Sequence, residues 1–471
     1  MPKAHGDGGN ARRLPPARRG LPLIGNLHQV GALPHRALHA LAAAHGAPDL
    51  MRLRLGQVPA LVASSPAAAA ALMREHDSVF ATRPYFRTAE ILTYCFKDLV
   101  FAPHSEHWRH VRRFCSAHVL SAARSHRHSA MREREVAALV RAIRDQASSS
   151  SSSPGTAVVD VSKALYGFAN EVICRAVSGR VSGEEGGRSE RFRELIEENT
   201  ALLGGFCVGD FFPALAWADT ALSGAGARAW RNFRRWDELL EKVVQEHDAH
   251  RRVDDAAGDE EDFVDVLLAL QAESQEGGFE LTRDTIKSLL ADMFAAGTET
   301  SYIALEWAMS ELVKNPAAMH KLQREVRGAA NAAGRDDLLG LGAAATTPYL
   351  RAVVKETLRL HPPVPLLLPR ECTQDATVLV FHVARGTRRF LESEVDFKGG
   401  HFQFIPFGAG RRVCPGMQFG LATVELALGN LVCLFDWEMP DSEAPGELDM
   451  SDAPSLTMPR REPLRLVATP F

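Results

Sequence analysis

Between Thr282 and Asn315 apolar residues recur every three or four positions, through Ile286, Leu289, Leu290, Met293 and Phe294 and on to Ile303, Leu305, Trp307 and Leu312. That period marks a helix. Thr282 supplies an N-cap and Asp284 a first-turn acid, and Asn315-Pro316 stops the run. The span is about thirty residues, roughly 45 Å at 1.5 Å per residue, and no other feature constrains the fold as strongly. In its middle stand Ala295-Ala296-Gly297-Thr298-Glu299-Thr300. Glycine costs about 1 kcal/mol in a helix interior, and threonine can bond back to an upstream carbonyl and bend the turn. A long helix that weakens itself centrally and places Glu299 and Thr300 there is expected to line a cavity.

The rest of the chain reads as mostly helical. Residues 51–63 alternate around a central turn and predict a β-hairpin, an Ala-rich helix runs from Pro66 to Glu75, and an apolar helix from Phe419 to Leu434. Met1 to Gly20 reads as a polar, flexible leader, followed by a proline-rich hinge. Two breaks, Ser148–Ser153 and the acidic run Asp254–Asp262, read as solvated loops. Neither brings a change of composition class, so one large domain is expected.

With 471 residues the chain can bury a large core and enclose a ligand. Its net charge of −4 argues against nucleic-acid binding, which leaves a basic footprint. The seven cysteines are scattered and odd in number, unlike a disulfide framework or a zinc site. Six of them read as small buried hydrophobes. No uninterrupted apolar stretch reaches the eighteen or so residues that span a bilayer, and no secretory signal stands at the N-terminus. As written, the chain is expected to be soluble.

Cys414 is different. The segment Pro406-Phe407-Gly408-Ala409-Gly410-Arg411-Arg412-Val413-Cys414-Pro415-Gly416 leads aromatic, small and flexible residues into one cysteine, just before an apolar helix. A thiolate at a helix N-terminus is stabilised by the dipole and by loop N–H groups, and glycine lets backbone approach a large flat ligand. Such a thiolate suits a haem iron. Taken alone, a buried structural cysteine would be the commoner explanation.

The company Cys414 keeps resolves that choice. The sequence resembles the cytochrome P-450 haem-thiolate monooxygenases, most closely the plant microsomal (A-type) class. Phe407, Gly410, Arg412, Cys414 and Gly416 match the haem-binding loop, and Glu356 and Arg359 match the ExxR motif. Ala296–Ser301 match the oxygen-binding helix, and Trp108 and Arg112 the Trp-xxx-Arg helix. All stand in family order across nearly the whole chain. The resemblance implies a mainly α fold with small β-sheets (α+β), residues 21–471 forming a single helical domain around a buried haem b. It makes Cys414 the iron ligand. Trp108, Arg112, Arg370 and Arg412 become donors to the haem propionates, while Arg109 and Arg113 stay solvated. Glu356 and Arg359, one turn apart, become a buried brace for the Cys414 loop, joined by Arg389. Glu299 and Thr300 become the catalytic pair that relays protons and holds water for oxygen activation.

The resemblance further implies electrons from NADPH through a separate reductase, since no nucleotide-binding glycine motif occurs here. It implies an apolar small-molecule substrate, a plant secondary metabolite, touched by residues 84–101, 204–212, 295–300, 364–368 and 455–458. It also implies the cytosolic face of the endoplasmic reticulum membrane. His104, His107 and His110 repeat every three residues, but no carboxylate or cysteine completes a metal site.

Two departures stand out. The membrane anchor helix that precedes the proline hinge in microsomal members is not seen. Near 371–390 the chain is shortened: Gly386-Thr387-Arg388 runs directly into Arg389-Phe390-Leu391, where a strand, a short helix and the Pro-Glu of a Pro-Glu-Arg-Phe motif belong. Loss of an internal strand is expected to leave its neighbours with unpaired N–H and C=O groups. The alternative function is therefore a catalytically inactive variant of the family.

Overall fold

The computed structural model describes residues 13–148, 157–179, 185–217, 219, 224–251, 261–274, 280–332, 339–340, 342, 344, 346–385, 388–391, 401–440 and 444–471. The first twelve residues of the leader, Ser149–Ser153, most of the acidic run, and Gly386-Thr387 lie outside them. Nine strands occur among the described residues: β1 Leu50–Leu55, β2 Val58–Ala63, β3 Val158–Asp160, β4 Arg370–Glu371, β5 Ala376–Val378, β6 Phe381–Val383, β7 Arg388–Leu391, β8 Phe435–Glu438 and β9 Arg465–Pro470. The helices used below are α1 Glu106–Phe114, α2 Ser129–Ser148, α3 Val161–Ser178, α4 Glu185–Leu203, α5 Ala225–Arg251, α6 Phe263–Ser274, α7 Arg283–Lys314, α8 Pro316–Ala332, α9 Pro348–Leu360 and α10 Met417–Leu434. By its internal contacts the chain divides into two compact units, each discontinuous in sequence: Met1–Pro84, Phe211–Pro213 and Leu366–Val413, and the remainder.

The smaller unit is built on a four-stranded sheet in the order β1-β2-β7-β4. The expected hairpin is present, with Leu50 opposite Ala63 and Leu55 opposite Val58. Its turn uses Gly56 at φ +62°, a left-handed conformation cheap only for glycine. One face of the sheet buries Leu50 and Leu61 against Ala68–Met73 and Phe80. The other packs Met51, Leu53 and Val62 on Leu38 and Ala42. The Ala-rich helix is found as well, α-helical over Pro66–Ala70 and widened to a π-helix over Ala71–Glu75.

The shortening does not leave this sheet open. Arg388–Leu391 lies parallel to β2, Ala60 opposite Arg388 and Ala63 opposite Leu391, and β4 pairs antiparallel to its other side, Arg370 opposite Arg389. The ladder is thus continuous across the join, contrary to the sequence expectation. A sheet needs alternating backbone donors and acceptors in register rather than particular side chains, and the residues just after the join provide them. Pro59 precedes the β7-paired stretch Ala60–Ala63, a position where a missing N–H is tolerated.

The larger unit is helical, with the small antiparallel sheet β3-β9-β8. α7 runs 32 residues, its N-cap Thr282 accepting the Thr285 N–H at 3.3 Å and Asn315 closing it. It is unbroken through Gly297 and Thr300, and Thr300 bonds back to an upstream carbonyl as expected from the sequence. Gly297 serves packing. A Cβ there would lie 2.5 Å from Ile173 Cδ1 on α3, so glycine lets the two helices approach. α10 is the one described helix long and apolar enough to cross a membrane, and its 67% burial within the fold marks a core helix.

Four cysteines are buried as expected, Cys115, Cys207, Cys372 and Cys433. Cys95 is exposed and Cys174 half-buried, which corrects the expectation that all six besides Cys414 are core residues. Cys95 lies in a tight turn whose residues Tyr94, Cys95 and Phe96 all have positive φ.

Candidate functional site

Cys414 stands two residues before Gly416, the N-cap of α10. Burial raises its thiol, while the N–H groups of Gly416 and Met417 and the charge of Arg112 act the other way. The residue as a whole is half-buried. A Cβ built on Gly416 would meet nothing within 4 Å, so the chain has open space at the start of α10. A soft thiol with helix-terminus donors and a guanidinium for the anion is the donor set of a thiolate metal ligand. The residues present therefore fit a haem iron.

α1 brings Arg112 to this thiol. Ser105 caps the helix through its hydroxyl, which accepts the Trp108 N–H at 3.2 Å. Arg112 is half-buried; desolvation lowers its pKa, and the neighbouring Cys414 and Cys115 oppose the shift. Trp108 is buried on the same helix face, but its indole N–H donates to the Leu99 carbonyl at 3.0 Å. In this structure Trp108 ties the 97–101 loop to α1, and a propionate would compete with the Leu99 carbonyl for the one indole proton. Arg109 and Arg113 are exposed, as expected.

The middle of α7 has an unusual surface. Residues 286–290 and 303–310 are almost wholly buried, whereas Ala296 is exposed and Gly297, Glu299 and Thr300 are half-buried. The helix thus opens where the sequence places the acid and the alcohol. Thr300 donates its hydroxyl to the Ala296 carbonyl at 2.7 Å. Glu299 accepts from Thr200 at 2.6 Å and from Thr457 at 2.8 Å. Burial raises its pKa and those two hydroxyls lower it, with the net shift upward.

In the smaller unit, the loop leading to Cys414 is held by Asp77. Its carboxylate accepts from the Arg411 N–H at 3.0 Å and from Arg370 at 3.4 Å. Arg370 is 4% exposed and also donates to the Ala409 carbonyl at 2.8 Å; burial lowers its pKa to about 10 despite Asp77. Arg412 donates from Nε to the Ala81 carbonyl at 2.7 Å. Gly410 sits at φ +68°, and a Cβ there would collide with Met73 O and Asp77 Oδ1, so glycine is required twice over. Phe407 precedes this turn and is half-buried.

Glu356 and Arg359 do pair on α9, with bonds of 2.7 and 2.8 Å. Their side chains are 55% and 30% exposed, so this is not the buried brace expected, and an exposed i,i+3 pair contributes under about 1 kcal/mol. The backbone of Arg389 lies in β7; its side chain is outside the described residues.

Comparison with known proteins decides the family. The cytochrome P450 family model matches residues 15–388 and 387–464, nearly the whole chain. The chain belongs to the cytochrome P450 family. The two matched stretches meet at the join between Thr387 and Arg388. Cytochrome P450 736A117 of Prunus mume is 41% identical over 484 aligned positions, covering 97% of this chain and 90% of that protein. The indole-2-monooxygenase of Zea mays is 40% identical, covering 96% and 87%, and the strychnine-11-hydroxylase of Strychnos nux-vomica 37%, covering 98% and 92%. As a P450 the protein is a haem-iron oxygenase, an oxidoreductase.

Sequence reasoning missed Asp77, Thr200 and Thr457. Each is a common polar residue without local pattern, and only contacts distant in sequence give it a role. It also missed Glu306, a buried carboxylate on α7 that is held by the Ser162 and Tyr302 hydroxyls and the Arg460 N–H.

Proposed function

We propose that this P450 inserts one oxygen of O2 into an apolar small molecule of the plant secondary-metabolite class, using electrons from NADPH delivered by a separate cytochrome P450 reductase. The observation that carries this reading is the Cys414 thiol, set just before α10 and met by two helix-terminus N–H groups and the charge of Arg112. The haem, when bound, supplies the iron at which O2 is reduced. The chain does the rest. Cys414 is the ligand, and Arg112 offsets its negative charge. Arg370 and Arg412, with Phe407, Gly410 and Gly416, shape the loop and offer cations for the propionates. Glu299, half-buried and raised in pKa by desolvation, carries a proton more readily than a solvated acid, and Thr300 holds water beside it. Relatives named for indole and strychnine support a rigid apolar substrate, and Leu366–Leu368 offer apolar contact. By family, the protein works at the cytosolic face of the endoplasmic reticulum.

The shortening at 387–388 favours a second reading, a haem-binding or haem-less variant without turnover. The continuous β1-β2-β7-β4 ladder supports the first. The deciding experiment is the absorption spectrum of the reduced, carbon-monoxide-bound full chain. A strongly red-shifted Soret band is expected, lost in Cys414→Ser; a band at the histidine-type position, or no haem, overturns the proposal.

A further inference from the structure

Glu299 is bound by two hydroxyls that belong to different parts of the larger unit. Thr200 lies in the last turn of α4, and Thr457 lies in the 455–458 segment. Each gives its only hydroxyl proton to a different oxygen of the one carboxylate, at 2.6 and 2.8 Å. The threonines are 7% and 5% exposed, so neither can exchange its partner for water at no cost. The two segments also meet directly. A Cβ on Gly204, one turn beyond Thr200, would stand 2.7 Å from the backbone nitrogen of Leu456. The carboxylate therefore bolts together α7, the end of α4 and the 455–458 segment, and glycine at 204 allows the closure. Thr300, the next residue on α7, keeps its hydroxyl on the Ala296 carbonyl.

We propose that Thr200 and Thr457 are positioning residues that hold Glu299 in a closed junction, and that parting α4 from the 455–458 segment frees this acid and loads it with a proton. The sign follows from the chemistry of the bonds. Hydroxyl donors stabilise the ionised carboxylate; when both withdraw, burial acts alone and the carboxyl takes up a proton at higher pH. Glu197 on α4 adds negative charge and is itself paired with Arg193 at 3.5 Å. Tyr166 on α3, whose own pKa Glu299 raises, stays neutral. The 455–458 segment and residues 204–212, which follow directly on α4, are among those assigned to substrate contact, so entry of an apolar ligand is the event that would part α4 from the 455–458 segment. The protein would then arm its acid only when there is something to oxidise. The inference rests on the reading of Glu299 as the proton carrier.

The test is the infrared band of the protonated Glu299 carboxyl in the full chain, isolated as the difference from Glu299→Gln and followed against pH. Thr200→Val with Thr457→Val, which keeps side-chain shape but removes both donors, is expected to move the midpoint to higher pH. Thr200→Ser with Thr457→Ser is expected to restore it. Gly204→Ala, which wedges the segments apart without touching either threonine, is expected to shift the midpoint in the same direction as the valines. A midpoint unchanged in both the valine and the Gly204→Ala proteins overturns the proposal. If the midpoint moves as stated but Glu299→Gln leaves peroxide release during turnover unchanged, the junction stands and the proton-relay reading falls.

Discussion

Gly297 shows how a single residue can be read correctly as special for the wrong reason. Its backbone is ordinary helix; what matters is the absent Cβ, because Ile173 occupies that space. Alanine would gain about 1 kcal/mol in helix propensity and lose more by overpacking, typically 1–3 kcal/mol. Gly297→Ala is expected to be destabilised by up to about 2 kcal/mol in denaturant unfolding, with Ile173→Val recovering most of the loss; an unchanged midpoint in the single variant would show that the helices have slack. Thr300 makes a different prediction. Its hydroxyl is tied only to its own helix, so Thr300→Ala should fold normally. It should release more peroxide per NADPH consumed, and coupling equal to wild type would remove Thr300 from the proton-handling role.

At the level of elements, the junction between α5 and α6 carries a pH dependence. His247 donates from one ring nitrogen to the Val243 carbonyl at 2.7 Å and meets Asp262 at 2.8 Å through the other. Burial opposes its charge, but Asp262, Val243 and Asp265 outweigh it and raise the pKa from 6.5 to about 9. The protonated form is therefore the one the fold prefers. Its stabilisation, on the order of 3 kcal/mol at most, is fully present below the unfolded value of about 6.5 and disappears as pH rises through about 9. Unfolding free energies of wild type and His247→Gln should differ most near pH 6 and converge above about pH 9.5; a constant difference would mean the histidine is neutral. The central sheet makes a second prediction. Leu61 in β2 lies between Arg52 and Arg389, so proline there must break a ladder bond on one side or the other, at a cost of about 3 kcal/mol or more. Leu61→Pro is expected to unfold the protein, whereas a fold that tolerates it would mean that the β7 pairing is dispensable.

For the molecule as a whole, haem binding and folding are linked. A group that binds only the folded chain stabilises it by RT ln(1 + [L]/Kd), about 4 kcal/mol at a thousandfold excess over Kd. Haem should therefore raise the thermal midpoint of the wild-type chain by several degrees and that of Cys414→Ser by clearly less. Equal increases would place the haem away from Cys414. The comparison also separates the two readings of the shortening, because a chain that closes its sheet yet cannot hold haem shows no increase in either form.

Much of this protein was legible in the order of its residues. Periodicity along 282–315, the caps at Thr282 and Asn315, the hairpin at 51–63 and the run into Cys414 are local patterns, and local backbone preferences and one-dimensional spacing suffice to read them. The order of the motifs across the chain added the family. Tertiary structure alone decided matters that depend on residues far apart in sequence. It closed the sheet through Arg388–Leu391, turned the Trp108 indole onto Leu99, left Glu356 exposed beside a half-buried Arg359, and gathered Thr200 and Thr457 onto Glu299. A hydrogen bond or a burial is a property of a pair of surfaces, and no spacing along the chain states which surfaces will meet.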